Sequence, residues 1–435
     1  MNKNRLKKSI LCVSLLFCMI GHCIISVTAD TQEFPYDKPL PTDYEGTLTM
    51  WGWDEEYYTA ITEAFQKKYP NVKFEYTKVD GTNLLQKYEI ALISGKELPD
   101  IAWAMVDYRG KMFELDMWEL LDEAPYHVSL SQFFQYLQPK MVNSDGNICG
   151  IEQSLSPVGL MYQKDLAKEY LGTDDPKELE TMLKDWSSFI DKGREVQQKS
   201  NGNVYIFFGS NDILQIVQSQ QSQVWVDEKT LNAEKTFEKT LNLMCQFRDE
   251  KTSDGMAAYW RQTSSEKKHI FTPCTFWSVK LMEQELSVTK GSGQWGLMHI
   301  PEGSVSWGGT AMGITKSCKD KRLAWEFLKF ATLSTEGAKV LHTLGLMTAA
   351  KQPYEEEPML ASYQSNLFGE QDIGIYFMEE IVPDIEGKAL SEEDVVIQER
   401  LSLILSVIAN DPSVTAQDAM QMLKNELEEA GICTE

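Results

Sequence analysis

The chain has 435 residues, 43% of them hydrophobic and 11% aromatic, a composition that suits a globular protein with room for two cores and not a disordered one. Its formal charge of -24 excludes the basic face that nucleic-acid binding requires. The ordinary use of so much acid is a solvated surface.

The first residues read as a targeting segment. Lys3, Arg5, Lys7 and Lys8 supply a positive start, and Ile10–Ile20 is an apolar stretch too short to span a bilayer comfortably. Val27-Thr28-Ala29 offers small residues for signal-peptidase cleavage, so that 1–29 would be a signal peptide. Cys23 competes as the lipidated cysteine of a lipoprotein, with His22 as an ill-suited residue before it. Both routes lead to export. Beyond residue 29 stand Cys149, Cys245, Cys274, Cys318 and Cys433, an odd set without Cys-x-x-Cys. That argues against a disulfide framework or a zinc site and for buried small hydrophobes.

After an extended, Pro-rich leader (Phe34–Asp43), strand and helix patterns alternate. Thr47–Trp51 reads as a strand, followed at once by Gly52-Trp53-Asp54-Glu55. Asp54–Tyr69 carries Tyr58, Ile61 and Phe65 at helical spacing and stops at Pro70. Val72–Tyr76 alternates with period two, and Thr82–Gly95 is a second helix. Asp100–Met105 is the next strand, leading into Val106-Asp107-Tyr108-Arg109 as a loop. This order predicts an α/β fold with a parallel, doubly wound sheet. Ligands of such sheets sit outside the carboxyl ends of the strands. Indoles beside carboxylates at that edge suit a polyhydroxylated ligand, which needs a flat apolar face and hydroxyl acceptors.

From about Asp165 the pattern is mainly helical, interrupted by strand-like Val204–Phe208 and by His269–Pro273, which leads to Thr275-Phe276-Trp277. Gln294–Ile300 and Thr310–Ile314 read as strands around a Pro301-Glu302-Gly303 turn, then Lys321–Thr332 as an amphipathic helix. Two helices close the chain from Ser391, the second opened by Asp411-Pro412-Ser413. Trp118, Trp186 and Trp325 fall in helical patterns and are expected in the core, and Met420-Gln421-Met422 is read as helix packing.

Taken in order, five segments resemble the extracellular solute-binding proteins of ABC transporters, in particular the sugar-binding family that includes maltose-binding protein. They are the strand ending at Trp51 with its helix, Leu98-Pro99-Asp100-Ile101 through Asp107, Gly159–Leu166, Trp307–Lys316, and Ala324–Phe330. The resemblance covers roughly residues 45–350. Glu152 stands where a proline usually marks the first lobe crossing, and Gly345-Leu346-Met347-Thr348 lacks the usual later proline.

The resemblance implies a two-lobed periplasmic-binding-protein-like fold that closes by hinge motion. Lobe 1 would comprise 45–153 and 298–340, and lobe 2 would comprise 154–297 and 341–435. It implies a monomer that captures a carbohydrate, most naturally an oligosaccharide, and delivers it to membrane permease subunits. A separate ATPase would supply the energy, in keeping with the absence of a Walker A motif here. No cofactor or metal is expected.

Each candidate ligand residue has a plainer alternative. Trp53 either meets the ligand or packs under the first helix. Asp54 and Glu55 either accept ligand hydroxyls or complement the helix N-terminus. Asp107 matches a ligand-contacting position of sugar-binding relatives, and Tyr108 and Arg109 either join it or lie on a solvated loop. Trp277 falls where relatives place an aromatic platform from the second lobe. Trp307, Gly308 and Gly309 either bring backbone close to the ligand or form a tight turn. Ser154 and Ser156 lie in the presumed crossing. A polyamine, which the acidic residues would suit, is the main rival ligand. A phosphorylated polyol would want a basic, Gly-rich helix start, which is not seen. A secreted hydrolase finds no His-Glu-x-x-His or Gly-x-Ser-x-Gly support.

Overall fold

The first sheet is organised by an acid at the start of a strand. Asp100 Oδ2 accepts from both the backbone N and Oγ1 of Thr49 at 2.8 Å, fixing β3 (Ile101–Met105) beside β1 (Gly46–Gly52). These bonds belong to a computed structural model that describes residues 35–221, 225–227, 230–253, 268–286 and 293–434. Residues 1–34, and with them the cleavage and lipidation sites, lie outside the described residues. Tyr36–Glu435 forms one compact unit.

In the first sheet β1 runs parallel to β2 (Val72–Lys78) and to β3. The order is completed by β12 (Thr310–Ile314), antiparallel to β3, and β4 (Ile151–Glu152), antiparallel to β12, giving β2-β1-β3-β12-β4. The sheet is therefore mixed rather than wholly parallel, because the returning chain pairs Thr310 with Met105 and runs back along β3. This register carries Gly308 and Gly309 to the carboxyl end of β3. The side chain of Thr315 fastens the other end, donating to Pro99 O at 2.7 Å.

The second sheet has the order β10-β5-β9-β6, built from β10 (Trp295–Met298), β5 (Pro157–Gln163), β9 (His269–Thr275) and β6 (Tyr205–Phe207), with β11 (Val305–Ser306) on β5. β5 and β9 are buried along their whole lengths, and helices pack around them through Phe189, Phe247 and Phe271. Strand β11 was not expected; the sequence reads 301–303 as a turn and assigns nothing to 304–306, since two residues carry no periodicity. It keeps the chain with the second sheet well past residue 298, so the return to the first sheet falls at 307–309.

The closing helices Asp394–Asn410 and Ala416–Glu429 form a third cluster with helix Ala233–Asp249, through Leu401, Leu405, Phe237, Leu241 and Leu423. Helix Asp394–Asn410 also packs on helix Val106–Phe113, where a Cβ on Gly110 would strike Ser391 O at 2.0 Å. Trp118, Trp186 and Trp325 are buried as the pattern indicates, and so are four of the five cysteines, with Cys433 exposed. Met420 packs against the third cluster, while Met422 is exposed.

Candidate functional site

The carboxyl ends of β1 and β3 open into a cavity of about 330 Å3. From the first sheet it receives Trp53, Asp54, Trp103, Met105 and Asp107; from the chain crossings Gln153, Ser154, Ser156 and Trp307–Thr310; and from beyond them Trp277 and Leu346. Trp53 stands edge-on to Trp103, with centroids 5.2 Å apart, so one indole braces another at the mouth of the sheet. Across the cavity the indole N–H of Trp277 donates to Trp307 O at 3.2 Å, which fixes the angle of a ring that remains 36% exposed.

The glycines after Trp307 are there for space. Gly308 and Gly309 have φ of 91° and 129°, and a Cβ at Gly309 would lie 2.4 Å from Glu152 Oε1. Asp54 serves two purposes: its Oδ1 caps helix Glu55–Lys68 by accepting from Tyr57 N at 3.0 Å, while its carboxylate lines the cavity. A capped carboxylate keeps lone pairs free for further donors.

Of the eight residues singled out from sequence, Trp53, Asp54, Asp107, Trp277, Trp307 and Gly308 meet around this one cavity. Glu55 and Tyr108 do not line it. Glu55 turns outward at the first helical position and pairs with Lys78 at 3.3 Å. Tyr108 has Asp107 as its first charged neighbour but also faces Glu399 of helix Asp394–Asn410 and Asp80, outside the cavity. The reason is that 106–113 is a helix and not a loop, so that successive side chains diverge by about 100°. That helix has no side-chain cap at Met105, the usual sign of a start; it begins instead where Val106 N donates to Gly309 O at 3.0 Å.

Arg109 is likewise no surface residue. It is fully buried, pairs with Glu152 of β4, and donates to the carbonyls of Ala104 and Lys140. Glu152 thus brings into the crossing a charge that Arg109 neutralises directly, with Lys140 also near it.

Burial raises the Asp107 carboxyl above its ordinary value, opposed by the charges of Arg109 and Lys140. The residue is nonetheless exposed where it lines the cavity. Lys140, which shares a smaller recess with Asp107, is pushed down to about 8, chiefly by burial. Sequence reasoning missed Trp103, Met105, Gln153, Thr310 and Leu346. Trp103 and Met105 carried a usable signal: they alternate along β3 toward the ligand edge. Gln153, Thr310 and Leu346 carried none, because only the crossings bring them in. Among the described residues no helix is long and apolar enough to cross a membrane, and no His, Cys, Asp or Glu cluster could hold a metal.

Two sheets with a polar, indole-lined cavity where the chain crosses between them describe a receptor for a small solute. The chain belongs to the bacterial extracellular solute-binding protein family, whose model matches residues 60–365. Members are non-catalytic solute receptors of ABC transporters. The arabinooligosaccharide-binding protein of Bacillus subtilis (strain 168) is 24% identical over 362 residues, covering 77% of this chain and 79% of that protein. Among solved structures, an extracellular solute-binding protein of family 1 superposes with a TM-score of 0.77 at 18% identity, covering 88% of this chain and 99% of that one. The galacto-N-biose/lacto-N-biose I-binding protein of a Bifidobacterium longum ABC transporter, solved with lacto-N-biose, gives 0.70 at 18% identity, covering 90% and 99%.

Proposed function

We propose that the protein captures an oligosaccharide outside the membrane and passes it to the permease of an ABC importer, after export directed by residues 1–29. The observation that carries this reading is the pairing of Trp53, Trp277 and Trp307 with the carboxylates of Asp54 and Asp107 around a single cavity. Indole faces stack on the apolar faces of sugar rings, and ionised carboxylates each accept more than one hydroxyl. The sugar-binding relatives support the same class of ligand. Domain closure about the crossings at 152–157 and 307–310 would bring the Trp277 side against the Asp107 side.

The test is thermal unfolding of the purified chain against arabinotriose, maltose, lactose, lacto-N-biose and spermidine. A ligand at 100 times its dissociation constant stabilises the fold by about 2.7 kcal/mol, a readily measured shift. A shift from a saccharide supports the proposal. Silence from every sugar with a shift from spermidine would transfer the site to a polyamine.

A further inference from the structure

The cleft has two edges, and different forces hold them. Asp107 leads to the first: the recess it shares with the cavity also touches Gly110 and Asp394. There helix Asp394–Asn410 packs on helix Val106–Phe113 of the first-sheet side, and Gly110 lies so close to Ser391 O that no side chain would fit. The same closing helix is joined to the second-sheet side through Leu401 and Leu405, which share an apolar cluster with Leu214 of helix Ser210–Ser219 and with Leu241. Separating the sheets at this edge would strip close-packed apolar surface.

The other edge lies beyond Trp53 and Trp277, and charge holds it. Lys280, just past Trp277 on helix Val279–Leu286, donates to Glu56 Oε1 at 3.2 Å. Glu56 stands just past Trp53, in the first turn of helix Glu55–Lys68, so the bond runs from the second-sheet side to the first. Lys280 is fixed for this contact. Its Nζ also donates to Thr343 O at 3.4 Å, at the end of helix Thr335–Thr343, and its stem lies against the buried Gly345. A cation at a helix C-terminus and an acid in a first helical turn are each favoured by the helix dipoles, so both charges are in place before they meet. The lysine side chain is 29% exposed and the glutamate 72%, so water reaches the pair and salt can screen it.

We infer that Lys280 and Glu56 form a latch across the mouth of the cleft. The packed edge is the pivot, and the ion pair is the contact that parts when the two sides separate. Opening at this edge gives up one exposed ion pair and no apolar core, so motion is directed here. An exposed pair shifts an equilibrium by no more than about fivefold. That strength suits a latch, since a contact of buried strength would hold the cleft shut against its own solute. The inference concerns the motion of the fold and is independent of which solute the cavity takes.

The experiment measures the distance between the two sides of the whole chain, without ligand, by double electron–electron resonance. Spin labels go on the exposed positions Glu63→Cys of helix Glu55–Lys68 and Gln198→Cys of helix Trp186–Lys199, with the exposed Cys433→Ser. With Lys280 and Glu56 intact, the short separation is expected to predominate. Glu56→Gln and Lys280→Met should each raise the long-to-short ratio by roughly two- to fivefold, the worth of an exposed pair. The double variant should raise it no further than either single, the mark of one shared contact. Salt at about 1 M, where the screening length is about 3 Å, should bring the intact pair to the ratio of the variants and leave the double variant unmoved.

A ratio unmoved by both substitutions and by salt would overturn the latch. So would effects that add in the double variant, or an intact pair found mainly at the long separation. The salt arm leaves Lys280 and Glu56 in place, so a variant that fails to fold still leaves the latch tested. No ligand enters the experiment, so the latch and the carbohydrate reading fail separately.

Discussion

The two walls of the cleft are built on different plans. On the first-sheet side several charged groups are tied into the fold: Asp54 caps a helix, Arg109 and Glu152 neutralise each other, and Asp100 ties β3 to β1. On the second-sheet side Thr272 and Thr275 keep orphaned hydroxyls, and desolvation raises the carboxyl of the part-exposed Asp212 to about 7. The first wall is set before a ligand arrives. The second keeps polar groups that the fold does not use. The difference shows that stability and recognition can be divided between walls, so that substitutions on each side should fail in different measurements.

The largest effect is expected at the buried ion pair. Arg109→Met leaves Glu152 charged without its hydrogen-bonded partner, which should cost about 3–5 kcal/mol in urea or thermal unfolding. Arg109→Met/Glu152→Met should recover most of that loss; a double variant as unstable as the single would mean that packing, not charge, holds the crossing. Next comes Trp277→Ala, on the half-open lip. Calorimetry with a bound saccharide should show a loss of about 2 kcal/mol or more, with the melting temperature nearly unchanged. A large fall in stability instead would make Trp277 part of the framework.

A smaller change separates the two uses of Asp54. Asp54→Ala should lose about 1 kcal/mol of stability with the helix cap, whereas Asp54→Asn, which still accepts from Tyr57 N, should keep it. Weakened ligand binding in the asparagine variant alone would isolate the charge.

The smallest effect is a slope with pH. Asp212 is raised from an ordinary 3.8 to about 7, so between those values the folded chain holds a proton that the unfolded chain has released. Its contribution to folding is therefore fully present below about pH 4 and is lost as pH rises through about 7. Asp212→Asn removes this dependence, so its melting temperature should gain on the wild type across that interval. A constant difference between the two would mean that the carboxyl titrates normally.

Much of this was legible in sequence where the physics is local. The period of Thr47–Trp51 and of Val72–Tyr76, the stop at Pro70, and the aromatic and acidic residues after β1 and β3 put the candidates Trp53, Asp54 and Asp107 at one sheet edge, whereas Trp277, Trp307 and Gly308 were singled out in the segments of the resemblance. Glu55 and Tyr108 were misplaced because neighbours in sequence diverge on a helix, and helix 106–113 begins on a bond from Val106 to Gly309, some two hundred residues downstream. Strand β11 left no readable signal, and the closing helices were legible as helices but not in their packing on helix Ala233–Asp249.

By itself, the sequence determined the alternation of strands and helices, the aromatic edge, and the order of segments that marks the solute-binding family, since side-chain periodicity and turn chemistry act over a few residues. Only the tertiary structure decided that Arg109 is spent on Glu152 and that Gln153, Thr310 and Leu346 complete the cavity. Those outcomes depend on which segments meet, and chain crossings far apart in sequence set that.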